Sequence, residues 1–129
     1  MASQNLITAT ANTNDTWARD HAGISVLRNG KPAMIDFGFN GWGLKFAANH
    51  DNQITSRLFG EGVYNSSVEY ISHLNFILEG GAIESDGKGT LMTTSHCMLA
   101  PNRNQPMQKH EIEAFLKENL GVQRVLWVS

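Results

Sequence analysis

Two carboxylates, an arginine and a tryptophan fall within one short stretch, Asn14-Asp15-Thr16-Trp17-Ala18-Arg19-Asp20. Carboxylate oxygens match the paired N–H groups of a guanidinium and give short, charge-assisted bonds in a fixed plane. An indole face beside them can hold a flat cation by stacking. A site for an arginine-like substrate would be built from such parts. The same residues also suit a structural ion pair of Arg19 with Asp15 or Asp20, with Trp17 packed in the core. A second acidic position, Glu79, precedes the pair Gly80-Gly81, where the backbone can approach a ligand or a neighbouring strand closely. Glu79 could face a cleft or solvent. Arg103, in Pro101-Asn102-Arg103-Asn104, could orient a carboxylate through its fork of donors, or simply belong to a turn.

Other reactive side chains point elsewhere. His96-Cys97 suggests a thiol nucleophile, but adjacent residues on an extended segment face opposite ways, so Cys97 reads better as a small buried thiol. The five histidines, His21, His50, His73, His96 and His110, show no zinc-like spacing with cysteine or acid partners. No metal and no cofactor are expected.

The elements that must position these residues can be read in outline. Leu6 to Ala11 is short and rich in β-formers and predicts a strand, followed by the loop chemistry of Asn12 to Thr16. Ile24–Leu27 and Ala33–Phe37 flank Asn29-Gly30, which tolerates the positive φ angles of a hairpin turn. Gly38 to Gly43 is too rich in glycine for a helix or strand interior and predicts a structured loop. Asp51 predicts an N-cap for a short helix ended by Gly60 and Gly62, with Ile54 and Leu58 on one face. Phe76–Leu78 predicts a strand, and Ala82–Ser85 with Thr90–Thr94 a second hairpin around Asp86-Gly87-Lys88-Gly89. Lys109 to Leu120 carries Ile112, Phe115, Leu116 and Leu120 as one apolar stripe, with Gly121 as its stop. Val125 to Val128 predicts a last strand. The alternation gives one α/β domain.

Composition narrows the function. At 129 residues, 41% hydrophobic and 17% charged, the chain suits one domain with a buried core. A net charge of −2 without a basic cluster argues against a dedicated nucleic-acid binder. The lone cysteine excludes an internal disulfide framework and fits a reducing compartment. Met1 to Leu6 lacks the basic start and apolar run of a signal peptide, and no segment approaches a membrane span. A cytoplasmic protein is expected.

Several motifs in order and spacing resemble the family of porphyromonas-type peptidylarginine deiminases and agmatine deiminases. They are Asn14 to Asp20, Asp36-Phe37-Gly38-Phe39-Asn40-Gly41-Trp42-Gly43, Leu78-Glu79-Gly80-Gly81, Asp86 to Gly89, Thr93-Thr94, Pro101 to Asn104, and Leu120-Gly121-Val122 with Val125-Leu126-Trp127. The resemblance implies a partial pentein, about two of its five ββαβ-like units. It implies hydrolysis of a guanidinium group by a cysteine, a histidine and carboxylates: thiolate attack, loss of ammonia, then hydrolysis of a thiouronium intermediate. It also implies that Trp17 and Asp20 line the substrate pocket, with Asp20 gripping the guanidinium. Glu79, Gly80 and Gly81 then form a wall or scaffold, while Asp15, Arg19 and Arg103 support it.

The departures qualify this. The family's His-x-Asp motif does not occur, and Cys97 does not fall where the family places its nucleophile. The chain is therefore expected to be one incomplete domain, inactive alone, with no residue of its own certain to be catalytic and with exposed strand edges. The expected partner is a small cationic guanidine such as agmatine. The alternatives are a protein-arginine deiminase, a non-catalytic guanidinium-binding module, and a structural fragment. Homo-oligomerisation is common in the family.

Overall fold

A computed structural model describes residues 6–129; 1–5, part of the stretch read for a signal peptide, lie outside it. A short helix, α1 (Ala18–His21), leads into the hairpin of β1 (Ile24–Arg28) and β2 (Lys31–Gly38), which pair antiparallel with Ile24 opposite Ile35. The hairpin turns on Asn29 and Gly30, both at positive φ, as a two-residue connection matched to strand twist requires. A parallel neighbour needs a long crossover, and one follows: a 3-10 turn at Asp51–Gln53, helix α2 (Ile54–Gly60), then β3 (Glu69–Ile77) parallel to β2.

The pattern then repeats. A 3-10 turn at Gly80–Ala82 leads into β4 (Ile83–Ser85), antiparallel to β5 (Thr90–Thr94). The crossover holds α3 (Ser95–Met98) and α4 (Lys109–Leu120), and β6 (Arg124–Val128) returns parallel to β5. Two three-stranded sheets result, ordered β1-β2-β3 and β4-β5-β6. Each is a ββαβ unit opened by a short helical turn, α1 in the first and Gly80–Ala82 in the second.

One core joins the units. Ile112 and Leu116 of α4 are fully buried in a cluster with Ile35, Phe37, Phe76, Leu91 and Val125, drawn from both sheets. Phe115 stacks on Phe76, their ring centroids 4.0 Å apart. The periodic stripe of α4 thus packs as its spacing predicts, and the helix is closed by a Gln108–Glu111 capping box and by Gly121 at φ 67°.

Three local expectations fail. Leu6 to Ala11 forms no strand: none of the strands pairs with it, and a short β-prone run gains nothing without a partner. His96 and Cys97 lie on helix α3 rather than an extended segment, and Cys97 is half-buried rather than buried. Met98, the next residue, is the one driven into the core. Asp51 does not cap α2 but lies 1% exposed with another task. The fourth difference is one of extent. β3 begins at Glu69, well before its apolar end, because successive residues from Glu69 to His73 stand in parallel register with Ala33 to Phe37 of β2.

Candidate active site

The loop ahead of α1 is built around Asp51. Its Oδ1 accepts from Thr13 Oγ1 at 2.7 Å, Asn14 N at 2.7 Å and Asp15 N at 3.2 Å. Burial pushes Asp51 upward, yet these donors and the nearby His21 together hold it below the ordinary aspartate pKa. His21 is itself buried, its Nε2 4.0 Å from Asp51 Oδ1 and 3.3 Å from the Asp15 carbonyl. Asp15 in turn ties the chain just ahead of α1, its Oδ1 accepting from Trp17 N at 2.9 Å. The loop and α1 are thereby fixed as one piece.

That piece presents Asp20 to the second unit. Asp20 Oδ1 accepts from Gly81 N at 2.9 Å, and Oδ2 accepts from Trp42 Nε1 at 3.2 Å. The approach explains the glycine pair. A Cβ on Gly80 would lie 2.1 Å from the Arg19 carbonyl oxygen, and one on Gly81 would lie 2.5 Å from Asp20 Oδ1. Only glycine lets the two opening turns touch.

Glu79 precedes that pair and is 3% exposed. Arg103 Nε stands 2.8 Å from Glu79 Oε1, an ion pair almost closed to solvent. Burial raises the Glu79 pKa, the Arg103 charge pulls it back, and the negative charge of Asp20 raises it further. Glu79 Oε2 is buried without a side-chain donor among the described residues, and such an oxygen can accept from a cationic N–H ligand. Asn104 anchors the end of β3, its Oδ1 accepting from Ile77 N at 2.7 Å and its Nδ2 donating to Ile77 O at 2.8 Å. Arg103 is carried beside it.

The remaining site residues are more exposed. Trp17 is 65% exposed at the start of α1. The indole hydrogen-bonded to Asp20 is that of Trp42, which sequence reasoning quoted only as part of a motif. Arg19 forms no ion pair with Asp15 or Asp20 among the described residues; its Nη2 reaches the Ile83 carbonyl at 3.4 Å. A cleft of about 490 Å³ beside Arg19 and Gly80, walled by Ser25, Glu84 and Leu91, is adjacent to the carboxylates, but neither Asp20 nor Glu79 lines it. No cluster of three or more His, Cys, Asp or Glu side chains able to hold a metal occurs among the described residues, and no helix there is long and apolar enough to cross a membrane.

Residues 1–129 match the family described as Porphyromonas-type peptidyl-arginine deiminase. The chain belongs to this family. A Vibrio parahaemolyticus relative provisionally named agmatine deiminase is 40% identical over 118 residues, 89% of this chain and 32% of that protein. A crystal structure of a provisionally named arginine deiminase from Porphyromonas gingivalis is 53% identical with a TM-score of 0.91, covering 93% of this chain and 35% of the other. A C. jejuni agmatine deiminase carrying a C315S substitution and bound substrate is 40% identical with a TM-score of 0.88, covering 98% and 37% respectively. The chain thus spans about a third of the length of the relatives it matches. The expected fold class, an α/β arrangement of two ββαβ units from a partial pentein, agrees with these neighbours and with the two sheets.

Proposed function

We propose that this chain supplies the carboxylate half of a guanidine-deiminating site in a protein that converts agmatine and water to N-carbamoylputrescine and ammonia, a step of putrescine synthesis. The observation that carries this reading is the bond from Gly81 N to Asp20, which brings Asp20 to the turn that follows buried Glu79 where the two units touch. Each carboxylate offers unfilled lone pairs to the N–H groups of a planar cation, and the negative charge felt between them favours that cation over a neutral group.

The roles follow from position. Asp20 grips the guanidinium with its geometry preset by Gly81 and Trp42, and Glu79 binds it from the second unit. Trp17, exposed beside α1, offers a stacking face, and Arg19 and Asp15 hold the helix that carries Asp20. Gly80 and Gly81 permit the close approach. Cys97 makes no hydrogen bond to a histidine or to either carboxylate among the described residues, so the thiolate step is assigned to no residue of this chain. Agmatine is preferred over peptidyl-arginine because the agmatine deiminase of C. jejuni is the substrate-bound neighbour.

Calorimetric titration of this chain with agmatine, beside putrescine as the diamine without a guanidinium, tests the reading. Saturable agmatine binding that Asp20→Asn weakens about tenfold is expected, the loss of roughly one charge-assisted bond. Equal binding of putrescine, or agmatine binding indifferent to Asp20, would overturn it.

A further inference from the structure

The segment between β2 and the Asp51 turn contains the least ordinary backbone of the molecule. Gly41, Trp42, Gly43 and Leu44 all have positive φ, at 65°, 57°, 85° and 67°. Leu44 N donates to Asn40 O at 2.8 Å and Lys45 N to Gly41 O at 3.2 Å, the spacing of an α-helical turn. Gly41–Leu44 is therefore one turn of left-handed helix. For residues with a Cβ this hand is disfavoured, and glycine occupies only two of its four positions. A tryptophan and a leucine held there require a compensating role, and strained backbone gathers where geometry matters.

The turn is pinned at both ends. Asn40 Oδ1 accepts from Gly43 N at 2.9 Å, while Asn40 Nδ2 donates to Asn102 O at 2.7 Å and Asn102 Nδ2 to Gly43 O at 3.3 Å. What it carries reaches both carboxylates. Trp42, braced edge-on by Phe39 and Phe46, directs its indole N–H to Asp20 Oδ2. Gly43 lies under the guanidinium of Arg103: a Cβ there would sit 2.2 Å from Arg103 Nη1. Arg103 passes over that gap to stand against Glu79.

We propose that the left-handed turn Gly41–Leu44 is a positioning device that sets both carboxylates of the site, Asp20 through the Trp42 indole N–H and Glu79 through the space that Gly43 leaves for Arg103. Trp42 and Gly43 are positioning residues, and the function of the device rests on the guanidinium reading above. A right-handed turn of the same residues would send the indole and the open α-carbon in other directions, so both contacts depend on its hand.

Two variants separate the contacts from the fold. Trp42→Phe keeps an aromatic ring between Phe39 and Phe46 and removes only the donor. Gly43→Ala adds one methyl group under Arg103. Amide exchange by NMR on the whole chain reads the positioning without a ligand. In Trp42→Phe the Gly81 N–H, bonded to the other oxygen of Asp20, is expected to lose at least tenfold in protection while amides of α4 keep theirs. Agmatine affinity is expected to fall several-fold in each variant, and the wild-type indole N–H resonance of Trp42 should shift on agmatine addition. Unchanged Gly81 protection in Trp42→Phe overturns the device whatever the ligand result. Failure of the wild-type chain to bind agmatine, with Gly81 protection lost as expected, leaves the positioning intact and overturns the guanidinium reading instead. Loss of α4 protection in Trp42→Phe would make the residue a structural support and also overturn the proposal.

Discussion

Glu79 and Arg103 are a buried pair whose value depends on both members. Removing the arginine leaves a buried carboxylate without its counter-charge, a change that costs about 3–5 kcal/mol in comparable buried pairs. The pH dependence has a definite sign. Burial raises the folded pKa of Glu79 above its unfolded value, so the folded chain holds a proton that the unfolded chain has released. Stability is then lost as pH rises from the ordinary glutamate range to the raised value, and Arg103 limits the loss. Arg103→Met should therefore be destabilised in urea by about 3–5 kcal/mol at neutral pH, and by clearly less in the acid range where Glu79 is protonated. Adding Glu79→Gln should abolish that difference. An equal loss at both pH values would mean that Arg103 acts by packing alone. Among single residues, Asp20 and Glu79 were legible as acids beside turn-forming residues. Trp42 was not, because nothing in Gly-Trp-Gly announces which way a left-handed turn will aim its side chain.

At the scale of elements, legibility followed periodicity. The apolar stripe of α4 and the Asn29-Gly30 hairpin were clear because both signals are local and repeated. Leu6 to Ala11 misled because β-propensity reports fitness for a sheet, not the presence of a neighbouring strand. Asp51 misled in a different way. It has the chemistry of an N-cap, but its acceptor was recruited by three donors of a loop distant in sequence. The turn Gly41–Leu44 was expected as a loop, and its handedness could not be inferred from glycine content. Its strain can be measured at Leu44, which is 73% exposed at φ 67° and makes no core contact. Leu44→Gly should stabilise the chain by about 1 kcal/mol in denaturant unfolding, since glycine meets no penalty in that region. A loss of similar size would show that the leucine is held by contacts rather than tolerated against strain.

For the whole molecule, the repetition of ββαβ units explains why the candidate site sits where it does. Each unit opens with a short turn bearing a carboxylate close by, Asp20 in α1 and Glu79 just before Gly80–Ala82, and packing one unit on the other brings those turns into contact. The first sheet turns Ile35 and Phe37 into the shared core with α4, whereas Met92, Leu126 and Val128 of the second sheet remain about half exposed. The fold class and the order of motifs were legible because they are properties of segments. The meeting of Asp20 with Gly81, in the turn that follows Glu79, was not, because it depends on how two units dock. The most direct measurement of the clasp is an agmatine titration of this chain followed through the side-chain carboxyl 13C resonances of Asp20 and Glu79. Both are expected to shift and to saturate with one shared Kd, while the carboxyl of exposed Asp86 stays still. Agmatine binding that moves neither resonance, or moves Asp86 as much, would contradict the account.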